Sequence, residues 1–346
     1  MKRFLQLICC VALLASCEQG GNDVNMGNGT EIAFNAESVV RSVITQENID
    51  AGQATVKVCA TRDGSAFYTN EALVRENTGK WYPQSGKDSW DDNRSYSFYG
   101  YASNTTNGLN ISDNGLSITV NQPTSYDASK MVDYLLSYKF DVANGSMRPI
   151  VQLQLEHAMS LVEIYVVRGN NFDARLTSMV FENIYSSASL RCTTHAKYNE
   201  EKANVWEISP TGNNTTKYTI NPNPAIVIGD TREETEAKMT IMCIPQQLTS
   251  NTKLTINYEV NEQHPNDTED NWVAHTETFQ LYNYDPISYK TGHRIIYTAT
   301  IDSGVNLQGV IAEWKNVDYI EGTILPEIPT GDDTTNDEEN SDESQN

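Results

Sequence analysis

Apolar and polar residues alternate along most of the periodic segments of this chain, which is the pattern of half-buried β-strands. The alternating apolar sets are Ile32/Phe34/Ala36, Ala54/Val56/Val58/Ala60, Leu116/Ile118/Val120, Val151/Leu153/Leu155, Leu254/Ile256/Tyr258/Val260 and Ile295/Tyr297/Ala299/Ile301. Two other segments, Val162–Val167 and Met239–Ile244, are apolar on both faces. Strands of that kind are expected in the centre of a structure, covered on both sides.

Turn-forming dipeptides separate these segments. They include Asp63-Gly64, Asn107-Gly108, Asn114-Gly115 and Asn144-Gly145. Helical periodicity is nearly absent, and we expect only a short turn around His157–Ser160, between two strands. Many short strands with turns between them predict an all-β fold of antiparallel β-sandwiches with few or no helices, rather than parallel βαβ units.

The length of the chain favours two domains, because a single hydrophobic core seldom serves more than about 250–300 residues. We predict an N-terminal β-sandwich domain at residues 30–147 and a C-terminal one at residues 148–325. The link between them is predicted at Asn144-Gly145-Ser146, ahead of Pro149.

The two ends of the chain differ in composition from the body. Residues 17–29 are rich in Gly and Asn and predict a flexible tether. Residues 326–346 begin with prolines and continue into a stretch, 331–346, with seven acidic groups and no basic or aromatic residue. Such a segment cannot bury enough apolar surface to offset its chain entropy, so we predict a disordered acidic tail.

The first residues predict export. Lys2 and Arg3 precede an apolar run from Phe4 to Leu14, and Leu14-Ala15-Ser16-Cys17 follows. This is the layout of a signal peptide over residues 1–16, and the run is shorter than the roughly 20 apolar residues of a transmembrane helix. The ending resembles the bacterial lipobox, in which Cys17 is lipidated and becomes the mature N-terminus. The alternative is an ordinary signal peptide with an incidental cysteine.

The net charge excludes one class of partner. The chain carries 24 Lys and Arg against 46 Asp and Glu, a net charge of -22. Removing residues 1–16 takes away two basic groups, which leaves 22 against 46 and a net charge of -24. Such a surface repels phosphate backbones, so we expect no nucleic-acid partner.

The cysteines and histidines do not form the motif of a metal site. Beyond Cys17 the cysteines are Cys59, Cys192 and Cys243, widely spaced and without a CxxC or Cys/His pair. A single bridge from Cys192 to Cys243 stays open, although a buried free thiol at Cys243 is the simpler interpretation. No two of the five histidines lie at metal-ligand spacing, and His157 is expected to be packed and hydrogen-bonded at a strand end.

Catalytic motifs are also missing from the sequence. There is no HExxH, no GxSxG, no glycine-rich phosphate loop and no SxxK set. We therefore predict no catalytic residues, no metal and no cofactor, and a protein that is not an enzyme.

Aromatic residues are concentrated between residues 81 and 101. They include Trp81, Trp90, Tyr99 and Tyr101, which are candidate glycan contacts because sugars stack on exposed aromatic faces. Tyr96 and Phe98 share one face of their strand while Tyr99 and Tyr101 share the other. The alternative to a sugar platform is that these side chains pack in the core.

Several motifs, taken in order, resemble the fimbrillin (Mfa-like, FimA-like) family, the type V pilins of Bacteroidetes. The resemblance runs from residue 17 to about residue 325. The motifs are the lipobox at Cys17, Glu31-Ile-Ala-Phe34 followed by Arg41-Ser42, Trp81-Tyr82-Pro83, Tyr96-Ser-Phe-Tyr-Gly-Tyr101, VQLQLEHAMSLVEIYVV (151–167), TGHRIIYTATI (291–301) and GVIAEWKNV (309–317).

This resemblance implies two tandem transthyretin-like β-sandwiches and a mode of assembly. The precursor is a surface-exposed lipoprotein of the outer membrane, and an arginine-specific surface protease cuts it after Arg41. The cut removes a first strand at about residues 31–40, which contains Ile32, Phe34 and Ala36. Loss of that strand opens an apolar groove in the N-terminal domain. A donor strand of a neighbouring fimbrial subunit, from about residues 309–325, then fills this groove.

The family implies a role for particular residues of that donor strand, and each assignment has an alternative. The donor side chains would be Val310, Ala312 and Trp314, yet the same segment could form only an edge strand of its own domain. Three arginines compete with Arg41 as the cleaved residue, namely Arg62, Arg75 and Arg94.

The predicted function is therefore a structural or accessory fimbrial subunit that supports adhesion. The acidic extension after Leu325 departs from a stalk pilin, whose chain ends near its donor strand, so stalk, tip and anchor positions stay open. The alternative function is a surface lipoprotein that does not polymerise and binds glycans or host ligands.

Overall fold

The structure is a computed structural model, and it describes residues 30–38, 55–103, 110–112, 115–137, 139–169, 172–192, 206–210, 215–231, 236–262, 269–302 and 304–313. Cys17, Arg41 and Trp314, the predicted tether and the predicted tail lie outside the described residues. No helix within the described ranges is long and apolar enough to cross a membrane.

The described residues form strands and three single-turn 3₁₀ helices, at Ala128–Lys130, Gly145–Met147 and Leu281–Asn283. The strands, in chain order, are β1 (Phe34–Ser38), β2 (Val56–Arg62), β3 (Ser65–Arg75), β4 (Trp81–Pro83), β5 (Tyr96–Ser103), β6 (Asn110–Ser112), β7 (Gly115–Asn121), β8 (Tyr134–Ser137), β9 (Phe140–Val142), β10 (Val151–His157), β11 (Ser160–Arg168), β12 (Ala174–Tyr185), β13 (Ser187–Cys192), β14 (Trp206–Pro210), β15 (Thr215–Ile220), β16 (Ile226–Val227), β17 (Met239–Cys243), β18 (Gln246–Gln247), β19 (Lys253–Asn261), β20 (Trp272–Gln280), β21 (Ser288–Tyr289), β22 (His293–Ile301) and β23 (Val305–Glu313). The all-β prediction is confirmed.

One sheet closes on itself. Its order is β2-β3-β4-β1-β10-β8-β5, with β9 paired to β5, and β2 pairs back to β5 over Val56–Arg62. The result is a seven-stranded ring, and a closed sheet has no free edge where the ring is complete. We call this ring the barrel.

The remaining strands form four further sheets. They have the orders β17-β11-β22-β23, β15-β12-β19-β20 with β16 on β12, β14-β13-β7-β6, and β18-β21. Most pairs are antiparallel, as predicted. Two are parallel, β1 with β10 and β11 with β22, and each joins strands that are far apart in sequence.

Two hydrophobic cores lie on opposite faces of shared strands. The barrel core contains Ile32, Phe34, Ala36, Val56, Val58, Ala60, Tyr68, Leu73, Trp81, Trp90, Tyr96, Phe98, Ala102, Leu135, Val142, Val151, Leu153 and Leu155. The second core extends from Cys59 to Leu307 and takes in Tyr99 and Tyr101. Side chains alternate across a strand, so β5 contributes to both cores.

Strand positions differ from the predictions at one place. Val162–Val167 lies in β11, an interior strand of its sheet, as expected. Met239–Ile244, predicted to be central, lies largely in β17 at the edge of that sheet. Its side chains other than that of Thr240 are nevertheless buried. The backbone N–H of Thr240 donates to the Tyr126 hydroxyl at 3.0 Å, so a loop residue covers this edge.

No break in strand pairing marks the predicted domain boundary at residue 147. Strand β10, which follows the boundary, pairs with β1 and β8 of the barrel. Strand β7, which precedes it, pairs with β13. The predicted link at Asn144-Gly145-Ser146 includes part of a 3₁₀ turn, and the Gly145 N–H donates to the Arg94 carbonyl at 2.8 Å. The division into two domains stays a prediction.

Two cysteines are free, buried thiols, Cys59 and Cys243. The bridge from Cys192 to Cys243 is therefore not formed. Burial raises the pKa of the Cys59 thiol to about 11 and raises the pKa of the Cys243 thiol above its ordinary range. Both groups stay protonated and unreactive at neutral pH.

Strand β23 has no room for a side chain at Gly309. A Cβ added there would lie 2.0 Å from the carbonyl oxygen of Asp285 and 2.9 Å from Cε1 of Tyr297. At Gly304, just before the strand, the same position has no atom within 4 Å. The Asp285 loop therefore packs directly on the backbone of β23.

We predict that Gly309→Ala lowers the free energy of unfolding by about 1–3 kcal/mol, because the backbone must shift to admit the methyl group. The matched variant Gly304→Ala should be close to neutral. Chemical denaturation of the two variants measures the difference. Equal stabilities would contradict the observed position of β23.

Candidate functional site

Strand β1 completes the barrel between β10 and β4. On one side it runs parallel to β10 over five registered pairs, from Phe34↔Val151 to Ser38↔Leu155. On the other side it pairs with β4 only at Phe34↔Trp81. One edge of β1 is therefore bonded along its whole length, while the other closes the ring at a single position.

Phe34 and Ala36 on the inner face of β1, and Ile32 just before the strand, are buried. Ile32 and Phe34 have no exposed area, and Ala36 is 2% exposed. The Phe34 ring lies edge-on to Phe98, with centroids 5.6 Å apart, and its centroid is 6.3 Å from that of Tyr68. Full burial of a side chain of the size of Ile or Phe contributes about 1.5–3 kcal/mol.

The segment before β1 is tied to the loop at residues 88–90. The Ile32 N–H donates to the Asp88 carbonyl at 2.7 Å, and the Trp90 N–H donates to the Thr30 carbonyl at 2.8 Å. Glu31 also forms an isolated antiparallel bridge with Ser89. These bonds fix where the chain enters the barrel.

A lysine lies beside this entry point. The Lys87 ammonium is 2.8 Å from a Glu76 carboxylate oxygen, 3.4 Å from one of Glu31, and 4.0 Å from the Tyr82 ring centroid. The hydrogen bond to Glu76, with the charge of Glu31, holds the pKa of Lys87 above its ordinary value. These side chains are part-exposed, so the ion pairs orient the segment more than they stabilise it.

The outer face of β1 contributes less. The Asn35 side-chain amide donates to the Gln152 side-chain oxygen on β10 at 3.1 Å. The barrel core therefore depends on the inner face of β1. Without this strand, an apolar groove would open between β4 and β10, with the unpaired backbone of β10 along one side.

The predicted donor residues lie in or after an edge strand. Strand β23 pairs with β22 and ends its sheet. Leu307 is buried, whereas Val310 is 43% and Ile311 is 51% exposed. Ala312 lies in the described part of β23, while Trp314 lies outside the described residues. This placement matches the alternative, an edge strand of its own domain, and leaves a donor role untested.

The candidate glycan contacts do not form a surface platform. Trp81, Trp90, Tyr99 and Tyr101 are each at most 7% exposed. Trp90 packs edge-on to Tyr96, with centroids 5.0 Å apart, and to Phe98 at 5.8 Å. The sequence places Tyr96 and Phe98 on one face of β5 and Tyr99 and Tyr101 on the other. In the structure, each of these two faces packs in a hydrophobic core of its own. The prediction of sugar stacking on these four residues is wrong for that reason.

The arginines that compete with Arg41 all lie in ordered positions. Arg62 ends β2, with its guanidinium 4.7 Å from the Phe67 ring centroid. Arg75 ends β3 and is in register with Trp81. Arg94 donates to the Asp63 carboxylate at 2.8 Å. Arg41 itself and the lipidation candidate Cys17 lie outside the described residues.

A buried contact with a carboxyl group accounts for the histidine at the end of β10. His157 Nδ1 is 2.9 Å from Asp133 Oδ2, and neither side chain has exposed area. The prediction of a packed histidine at a strand end is thus confirmed, but nothing in the sequence singled out Asp133. No group of three or more potential metal ligands occurs among the residues that the structure describes.

Sequence reasoning also missed the residues that receive β1. Tyr68, Phe98 and Lys87 lie on other strands and loops, far from β1 in sequence. The sequence offers core packing for Phe98, which lies in the aromatic run, but nothing in it singles out Tyr68 or Lys87. Their contact with one particular strand follows only from the ring closure.

A family model described as fimbrillin-like matches residues 41–314 of the chain. The fold is similar to that of a fimbrial protein from Bacteroides vulgatus, with a TM-score of 0.57, 14% sequence identity, and coverage of 82% of this chain and 99% of that one. It is also similar to a candidate cell adhesion protein from Bacteroides uniformis, with a TM-score of 0.54, 13% identity, and coverage of 83% and 100%. No curated protein matches the chain.

We predict that Phe34→Ala lowers the free energy of unfolding by about 3–5 kcal/mol, because it leaves a cavity beside Phe98 and Tyr68. Asn35→Ala, on the outer face of the same strand, should cost only about 1 kcal/mol for its hydrogen bond. Urea denaturation of both variants measures the two losses in free energy of unfolding. Similar losses would contradict the one-sided burial of β1.

Proposed function

Since the chain belongs to the fimbrillin-like family, we propose that it is a subunit of a cell-surface fimbria that assembles by exchange of strand β1. The single observation that carries this proposal is the burial of Ile32, Phe34 and Ala36 in a ring that β1 completes. The protein is a structural protein and not an enzyme.

The proposal includes a finer description of the fold, two tandem transthyretin-like sandwiches at residues 30–147 and 148–325. The presence of two hydrophobic cores supports it. The pairing of β10 with β1 would then join the two sandwiches through a shared strand.

Export as a lipoprotein is the first step of the proposed maturation. The basic start, the short apolar run and Leu14-Ala15-Ser16-Cys17 support a signal peptide and lipidation at Cys17. Acyl burial contributes about 0.8 kcal/mol per CH₂, so two or more chains on one cysteine would anchor the precursor stably in the outer membrane.

Cleavage after Arg41 by an arginine-specific surface protease is the second step. Arg41 lies three residues after the end of β1, and the family match begins at residue 41. The competing arginines support this choice, because Arg62 and Arg75 lie within strands and Arg94 is held by an ion pair. A single cut at Arg41 would release the lipid, the tether and β1 together.

Assembly follows from the loss of β1. The vacated groove would expose the sites of two large apolar side chains and one edge of β10, which a strand of another subunit can occupy. Each large side chain would contribute about 1.5–3 kcal/mol, and each backbone hydrogen bond about 0.5–1.5 kcal/mol. Such a contact joins different surfaces of two subunits and does not close, so it grows a filament.

The donor strand is proposed to come from residues 309–325 of a subunit. The edge position of β23 and the exposure of Val310 support this, since an edge strand can be given to a neighbour without opening the middle of a sheet. The same proposal places the fimbria on the cell surface and gives it a role in adhesion.

The alternative, a monomeric lipoprotein that binds glycans or host ligands, has no support from the aromatic residues that suggested it, because they are buried. It would gain support if β1 were kept in the mature protein.

We predict that Arg41→Ala abolishes conversion to the shorter mature form and removes polymer ladders from surface extracts, because β1 stays in the barrel. The measurements are electrophoresis of unheated samples and electron microscopy of the purified protein with and without a trypsin-like protease.

Arg94→Ala is the matched control, since it removes a competing arginine and should leave processing unchanged. Normal ladders from the Arg41→Ala chain would refute cleavage at this residue. If Arg94→Ala loses processing while Arg41→Ala keeps it, the cleavage site lies at Arg94, in the loop before β5.

A further inference from the structure

We infer that the groove vacated by β1 fits a strand with a large, an aromatic and a small side chain at alternate positions, and that this strand comes from a different subunit rather than from a second copy of this chain. The inference rests on the proposed strand exchange. It concerns which partner the groove accepts.

The central site of the groove is shaped for an aromatic ring. Phe34 has no exposed area and lies edge-on to Phe98 at 5.6 Å. Its neighbours in register are Trp81 on β4 and Val151 on β10. An aromatic ring placed edge-on to another gains more than its area alone, and a smaller side chain would leave a cavity.

The third site is shaped for a small side chain. Ala36 is 2% exposed and is in register with Leu153 of β10. The Leu153 side chain already presses on Gly100 of β5, where an added Cβ would lie 2.9 Å from Leu153 Cδ1. This close approach indicates tight packing beside Ala36, so we expect a large side chain in its place to overpack the core.

The predicted donor residues of this chain do not match these sites. If Val310, Ala312 and Trp314 replace β1 in the same direction, alanine falls in the Phe34 site and tryptophan in the Ala36 site. In the opposite direction alanine again falls in the Phe34 site, and valine falls in the Ala36 site. Each alignment creates a cavity at the centre and crowds the third position.

Other registers of residues 309–325 fail for a different reason. An aromatic residue reaches the central site in two of them, centred on Trp314 and on Tyr319. The first brings Asn316 and the second brings Glu321 into one of the buried flanking sites, where a polar or charged group without a partner is costly. No register of this segment repeats the pattern of β1.

The groove therefore excludes residues 309–325 of a second copy as the donor and selects a strand with the pattern of Ile32, Phe34 and Ala36. A filament that contains this protein would then be a heteropolymer at the β1 groove. Size complementarity in the groove, rather than surface charge, would set which subunit follows.

The test uses the full chain with a site-specific protease sequence in place of residues 39–42, cut and freed of β1 in mild denaturant. Three synthetic peptides are titrated against it by fluorescence anisotropy. They are residues 30–38, residues 309–325, and residues 309–325 with Val310→Ile, Ala312→Phe and Trp314→Ala.

We expect the first and third peptides to bind at least about tenfold more tightly than the second. If the unchanged 309–325 peptide binds as tightly as its altered form, the size selection is refuted while strand exchange stands. If none of the three binds to a cut chain that keeps its β-sheet circular dichroism, strand exchange itself fails, and this inference with it.

A second measurement needs no open barrel. In the uncut chain, Ile32→Val, Phe34→Ala and Ala36→Trp together place the donor pattern in β1, and Ile32→Val alone is the control. We expect the triple variant to lose about 10 °C or more in Tm relative to the control. Equal Tm values would overturn the size selection.

Discussion

The packing of Phe34 against the rings of the barrel core is the interaction on which the rest of the structure depends. It holds a five-residue strand in a sheet that closes only when that strand is present. The strand is bonded along β10 but touches β4 at one pair, so side-chain burial rather than backbone pairing holds the β4 side. Our proposal is that such a strand can be replaced by another with equivalent side chains.

The barrel also explains the crowding of aromatic residues between residues 81 and 101. Strand β5 pairs with β2 on one side and with β8 and β9 on the other, and it carries a hydrophobic core on each face. Tyr96 and Phe98 belong to the barrel core, while Tyr99 and Tyr101 belong to the second core. Dense aromatic sequence here reflects a strand shared by two cores, and not a binding surface.

Local pattern predicted much of the fold. The alternation in Val151–Leu155 and Leu254–Val260 gave strands β10 and β19, and the alternation of Ile32, Phe34 and Ala36 gave the buried face of β1. Local pattern could not predict which strands pair with each other. The parallel pairing of β1 with β10 joins residues over a hundred positions apart. Because no hairpin turn connects the two strands, no turn motif in the sequence predicts this pairing.

The same limit applies to the candidate site. The family resemblance points to the strand that is proposed to leave, but its receiving side chains, Tyr68, Phe98 and Lys87, lie on separate segments that only the closed ring brings together. The aromatic residues stayed open between a sugar platform and core packing, because a sequence shows the two faces of a strand without showing that both are covered.

The central claim is that β1 is a temporary occupant of the barrel. Mass spectrometry and N-terminal sequencing of the subunit recovered from assembled surface filaments test it most directly. The account predicts a chain that begins at Ser42, without the lipidated Cys17 and without β1. Filaments whose subunits keep Cys17 and the whole of β1 would contradict it.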